Sequence, residues 1–193
     1  MASDPSQTNT EPGDVADLRV RAEQGDAQAQ YDLACAYSEG QGVPLSEESA
    51  TEWFRKAAEQ EHVEAQFCLG ATYQFGLGVA PDLVRAVAWY CRAAAQGDAD
   101  AMYQLGLGYA TGEAVPEDVV EAFMWMHLAV CRATGGNRER YTQGLNMVAR
   151  SMTRAQITRA RRMATAWTRA FEGRPAGVPT RWGSGARRSR RLV

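Results

Sequence analysis

The side chains best suited to chemistry in this 193-residue chain are four cysteines, Cys35, Cys68, Cys91 and Cys131, and two histidines, His62 and His127. A thiolate can attack an electrophile or bind a metal, and an imidazole can carry a proton or complete a metal site. Each of these uses needs partners at a set spacing. No C-x-x-C pair occurs, no two histidines lie four residues apart, and the cysteines fall at different phases of the chain's own periodicity. The thiols therefore read as small apolar groups buried in a core, outside any disulfide framework or metal clip. A G-x-S-x-G elbow is missing, as is a phosphate-cradling glycine loop ending in Lys and Ser or Thr. Gly76 and Gly78 belong to a recurring helix stop and follow no strand. The expectation is a protein that is not an enzyme and has no catalytic residues, cofactor or metal. A cysteine- or metal-dependent hydrolase ranks third among the functional readings.

The elements that position these residues repeat every 36 residues. The phrase Glu23-Gln24-Gly25-Asp26 returns as Glu59-Gln60-Glu61-His62 and as Ala95-Gln96-Gly97-Asp98. The register continues through Ala29/Ala65/Ala101, Leu33/Leu69/Leu105, Tyr37/Tyr73/Tyr109, Gly40/Gly76/Gly112 and Trp53/Trp89/Trp125. A fixed period of this length marks a stacked repeat. Within it, Ala65, Leu69 and Tyr73 fall at i, i+4 and i+8 on one helical face, and Gly76 stops the helix. A loop follows, then a capping residue (Ser46, Asp82 or Asp118) and a second helix. Glu121, three residues after Asp118, predicts a capping box, and Thr153 with Gln156 predicts another. Trp53, Trp89 and Trp125, each flanked by alanines, are expected in the core.

Composition suits a folded chain: 45% hydrophobic and 23% charged residues suffice for one continuous core or a short array. No run of about 18 apolar residues exists to span a bilayer. Met1 to Asp14 is polar and acidic, without the basic start and apolar stretch of a secretory signal. A cytoplasmic location is the resulting expectation.

The pattern A-x-x-x-L-[GA]-x-x-Y-x-x-G-x-[GA]-V, followed by A-x-x-W-[FYM]-x-x-A, as in Ala65 to Val79 and Ala86 to Ala93, resembles the Sel-1-like repeat, a relative of the tetratricopeptide repeat. The resemblance covers about residues 22–131. It implies an all-α fold: an α/α solenoid of three 36-residue helix-pair repeats with helical caps, wound as a right-handed superhelix. The expected organisation is a disordered N-terminus over 1–14, a capping helix over 15–25 and three repeats over 26–131. Capping helices over 132–172 and a disordered arginine-rich tail over 173–193 complete it. The closing helix, from Ser151 to Trp167, looks like one found after such repeats in bacterial proteins.

By the same resemblance the chain is a protein-protein interaction scaffold whose first helices line a concave binding face. The contact positions implied are Gln28, Tyr31, Ser38 and Glu39 in the first repeat. Glu64, Phe67, Gln74 and Phe75 follow in the second, and Asp100, Tyr103, Leu107 and Thr111 in the third. Tyr31, Phe67 and Tyr103 are equally open to a role in packing. Phe75 stands apart, because its slot holds Glu39 and Thr111 in the neighbouring repeats.

Charge divides the chain. Residues 1–131 carry 21 acidic and 6 basic side chains, whereas 132–193 carry 2 acidic side chains and 15 arginines. An acidic body with apolar anchors favours a basic, amphipathic peptide or protein as partner. The alternative reading is that the arginine-rich end binds nucleic acid or an anionic membrane surface, with the repeats presenting it. The chain is expected to be a monomer, with acid-to-base self-association left open.

Overall fold

A computed structural model describes residues 12–173; the segments 1–11 and 174–193, and with them most of the expected disordered N-terminus and arginine-rich tail, lie outside the described residues. Among the described residues the chain is entirely helical. The helices are α1 (Pro12–Glu23), α2 (Ala27–Glu39), α3 (Glu47–Glu59), α4 (Val63–Phe75), α5 (Leu83–Ala95), α6 (Ala99–Thr111), α7 (Val119–Arg132), α8 (Asn137–Arg150) and α9 (Arg154–Glu172). None of them is long and apolar enough to cross a membrane.

The junction phrases start the first helix of each pair. Asp26, His62 and Asp98 are the N-caps of α2, α4 and α6, and their side chains accept the backbone N–H of Ala29, Ala65 and Ala101. Each side chain satisfies one of the N–H groups that a helix start leaves without an intrahelical partner. His62 does this with Nδ1, so an imidazole replaces the carboxylate that stands at this slot in the other two junctions. At the far ends Gly40, Gly76 and Gly112 take left-handed backbone and return their N–H to the preceding turn. Ser46 and Asp118 cap α3 and α7, and the Thr153–Gln156 capping box opens α9.

The second capping box does not form. Asp118 accepts from the N–H groups of Val120 and Glu121, but its own N–H donates to the Tyr109 carbonyl at 3.0 Å and is not free for the Glu121 carboxylate, whose Oε2 is buried without a partner. Burial, then the neighbouring Asp118 charge, raises the Glu121 pKa, while Arg159 and the Trp125 indole oppose the shift.

The chain divides into two compact units, one through Asp82 and one from Leu83. In the first, α1 packs on α2, α2 on α3 and α3 on α4. Its core includes Val15, Ala22, Ala29 and Leu33, with Leu18, Tyr37, Val43 and Trp53 packed against it. Helix α1 begins at Pro12, three residues before the expected start; proline suits the first helical turn because the N–H it lacks would have had no partner there. Glycine at 78 lets two backbones meet. A Cβ there would lie 2.4 Å from the Glu47 carbonyl carbon, and the residue has φ +66°, so only glycine fits where this loop rests on the first turn of α3. Thr51 Oγ1 locks the same contact by donating to the Leu77 carbonyl at 2.9 Å.

In the second unit α5 packs on α6, α6 on α7, and α7 on both α8 and α9. Helix α7 is its centre, burying Val120, Ala122, Phe123, Met124, Trp125, Met126, Leu128 and Ala129.

The tryptophan expectation holds at one position of three. Trp125 is buried, with Trp167 of α9 edge-on to it at 6.0 Å between ring centroids. Trp53 and Trp89 are only half-buried, and the buried aromatics are the next residues, Phe54 and Tyr90. A step of one residue turns about 100° around a helix, so Phe54 and Tyr90 point into the core and the indoles lie at its margin. There Lys56 sits over Trp53 at 3.6 Å and Arg92 over Trp89 at 4.4 Å. The cysteines differ from expectation in a similar way. Cys35, Cys68 and Cys91 are partly buried, and Cys131 is exposed. Burial pushes the Cys91 thiol up to about 11.

Candidate functional site

In the first unit, several implied contact residues of α2 and α4 are tied to one another. Gln28 donates to Asp32 at 2.8 Å, and its carbonyl oxygen lies 3.1 Å from His62 Nε2. With Nδ1 accepting the cap bond, Nε2 must carry the proton and donate to Gln28. The His62 ring stacks on Tyr31 at 4.8 Å, and Phe54 closes the other contact at 5.9 Å. Burial raises the Tyr31 pKa. The tyrosine therefore joins two helices of the unit and is not a free aromatic.

The remaining first-unit positions are more open. Glu64 is exposed at the start of α4, and Ser38 and Glu39 are exposed at the end of α2. The Ser38 hydroxyl donates back to the Cys35 carbonyl at 2.9 Å, and the Glu39 carboxylate accepts from Gln41. Phe67 and Gln74 are half-buried, and each is engaged by neighbours. Phe75, the last residue of α4, is 64% exposed.

Two leucines that the sequence reading did not single out add exposed apolar side chains in the loops of this unit. Leu77 and Leu45 are both exposed. Leu77 sits in the loop resting on the first turn of α3, and Leu45 lies in the loop that leads into that turn. The signal for both was present in the repeat register. Leu77 shares its slot with Gln41 and Glu113, and Leu45 shares its slot with Pro81 and Glu117, so neither leucine is required by packing.

In the second unit the positions equivalent to Gln28 and Tyr31, Asp100 and Tyr103, are engaged by α8. Tyr141, only 1% exposed, donates its hydroxyl to Asp100 at 2.5 Å, and Arg140 binds the same carboxylate oxygen at 2.8 Å. The Tyr141 ring stacks on Tyr103 at 4.8 Å. Burial, then the Asp100 hydrogen bond, pushes the Tyr141 phenol up to about 12. Gly144 permits this approach, since a Cβ there would lie 2.8 Å from the Tyr103 hydroxyl. Asp100 and Tyr103 thus hold a cap in place. Leu107 is half-buried, and Thr111 is exposed at the end of α6.

The side chains with chemical potential do not converge. His127 Nε2 lies 3.9 Å from the Cys131 sulfur, and burial together with Arg161 lowers the His127 pKa. Among the described residues no group of three or more His, Cys, Asp or Glu side chains is placed to hold a metal.

The family model for the Sel1 repeat matches residues 27–62, 63–98 and 99–133, each match starting at the first residue of α2, α4 or α6. A Sel1 repeat protein from Oxalobacter formigenes is similar at 35% identity and a TM-score of 0.62, over 69% of this chain and 98% of that one. A protective antigen of uropathogenic Escherichia coli with an SLR fold is similar at 30% identity and a TM-score of 0.70, over 86% of this chain. The match spans 37% of that antigen's length. No curated protein matches the sequence. Sel1 repeat proteins are generally protein-interaction scaffolds and typically non-catalytic. The chain belongs to the Sel1 repeat family, as an all-α protein of three consecutive helix-pair repeats.

Proposed function

We propose that this protein is a non-catalytic adaptor that captures a basic, amphipathic segment of a partner protein on its N-terminal unit. The observation that carries the reading is Phe75, a phenylalanine 64% exposed in a slot that the neighbouring repeats fill with Glu39 and Thr111. An aromatic left in water where packing does not need it is a candidate anchor for a partner. Leu77 and Leu45 supply further apolar surface on the unit, and Glu39 at the end of α2 and Glu64 at the start of α4 supply negative charge.

Electrostatics selects the partner's sign. Residues 12–82 hold 13 acidic and 4 basic side chains, so the unit attracts lysine- and arginine-rich segments and repels polyanions. Gln28 and Tyr31, already bonded within the unit, serve as framework for the contact positions of α2 and α4.

Selection from a random peptide library on the immobilised full-length protein tests the proposal. Enriched peptides should carry basic residues interleaved with apolar ones, and their binding should weaken at raised salt. Enrichment of acidic peptides, or of none, would remove this reading.

A further inference from the structure

We infer that the outer face of α9 is a docking surface for α3 of a second copy of this chain, giving a weak, salt-sensitive, head-to-tail association. The inference does not depend on the Phe75 reading. Helix α9 buries Ala160, Ala164 and Trp167 and turns the opposite face to solvent. That face carries Arg154, Arg161, Arg162 and Arg169, all exposed. At about 100° per residue the four fall within a stripe roughly 100° wide, with Thr158 and Thr165 along its middle. The two threonine hydroxyls are already spent on the carbonyls of Arg154 and Arg161. Shallow grooves lined by Arg154, Thr158, Arg162 and Ala166, and by Arg161, Thr165 and Arg169, run along the same face. None of the four guanidinium groups forms an ion pair with a carboxylate among the described residues.

The complementary surface is in the same chain. Helix α3 buries Ala50, Phe54, Ala57 and Ala58 and exposes Glu48, Glu52 and Glu59. These three glutamates fall within about 40° of one another around the axis, opposite the buried face; half-buried Arg55 and exposed Lys56, the latter held over the Trp53 ring, border the same stripe. They too form no ion pair among the described residues. At 1.5 Å per residue the glutamates extend over about 16 Å and the arginines over about 22 Å, so one row can lie along the other. The small side chains between the arginines let a second helix approach closely.

A contact between two different surfaces of identical chains is heterologous, so each copy offers one half and accepts the other. Exposed ion pairs are individually weak and are screened by salt, which sets the expected strength and its salt dependence. A long polyanion also finds arginines on α9, but the overall charge of −2 and the acidic residues of the remaining chain oppose its approach.

Light scattering on the full chain gives the test. At about 0.01 M salt, where the Debye length is about 30 Å, the average mass should rise with concentration above that of one chain without stopping at two, because every associated pair still offers one free α3 face and one free α9 face. At about 1 M salt, with a Debye length of about 3 Å, it should return to that of one chain. Reversing α9 (R154E, R161E, R162E, R169E) or α3 (E48K, E52K, E59K) should leave each variant monomeric at low salt. Mixing the two reversed variants should restore association, a result that misfolded variants cannot give. A wild type that stays monomeric at low salt, or association that survives either reversal, would overturn the inference. So would an α9 face that retains DNA or anionic vesicles without any self-association.

Discussion

Tyr31 and Tyr103 occupy the same slot of their repeats, and each is closed over by a different element. In the first unit the cover is His62, the residue that caps α4. In the second it is Tyr141 of α8, held by Asp100, with Arg140 on the same carboxylate and Gly144 clearing the way. A junction histidine and an appended helix thus solve one packing problem. The comparison shows that this slot holds neighbouring helices together whatever the neighbour is. On the proposed reading, binding draws on slots that packing leaves free, of which 75 is the clearest.

The largest effect should come from the centre of the second unit. Trp125→Ala removes a buried indole and the edge contact with Trp167, and should cost about 3–5 kcal/mol in denaturant unfolding. Trp53→Ala, at the half-buried equivalent, should cost markedly less. Equal losses would mean that the two indoles contribute alike despite their different burial.

Next in size is the tyrosine cover. Tyr141→Phe keeps the stack on Tyr103 but removes the hydroxyl bonded to Asp100, and should cost about 1–2 kcal/mol. No change would show that Arg140 alone satisfies Asp100. At the first-unit junction, Glu61 holds φ +64° where the other two junctions have glycine at 25 and 97. Glu61→Gly should stabilise the fold by up to about 1 kcal/mol by relieving left-handed strain. A loss would mean that the Gln66 contact to the Glu61 carboxylate outweighs the strain.

Glu121 gives a pH-dependent prediction. Because its folded-state pKa is raised, the folded chain binds this proton more tightly than the unfolded chain. Its contribution favours folding at low pH and is lost as pH rises through the folded value. Glu121→Gln should therefore be more stable than wild type at neutral pH, by about 1 kcal/mol, and should approach it as the pH falls toward the ordinary carboxylate range. Parallel pH profiles for the two proteins would show that Glu121 is not the titrating group.

The repeat was legible because helix stops and caps recur with the period: glycines at 40, 76 and 112, and caps at 26, 62 and 98. Periodicity identifies a slot but not its depth. Trp53 and Phe54 are adjacent large aromatics, and only the direction of approach of the neighbouring helix decides which is buried. The spacing of Asp118 and Glu121 fits a capping box equally well in sequence. The Tyr109 carbonyl takes the Asp118 N–H that the box would need, and sequence spacing does not reveal that contact from the preceding helix. Leu45 and Leu77 were missed because they sit in loops, where helical periodicity gives no face to read, although comparison of the same slot across repeats exposes them.

Phe75→Ala against Tyr31→Ala is the most direct measurement, with thermal unfolding and binding of a library-selected peptide read on both variants. Phe75→Ala should change stability by less than about 1 kcal/mol, as an exposed residue should, while peptide binding is lost. Tyr31→Ala should lower stability clearly, because it breaks the contacts with His62 and Phe54. Unchanged peptide binding in a stable Phe75→Ala protein would contradict the account, as would a loss of stability equal to that of Tyr31→Ala.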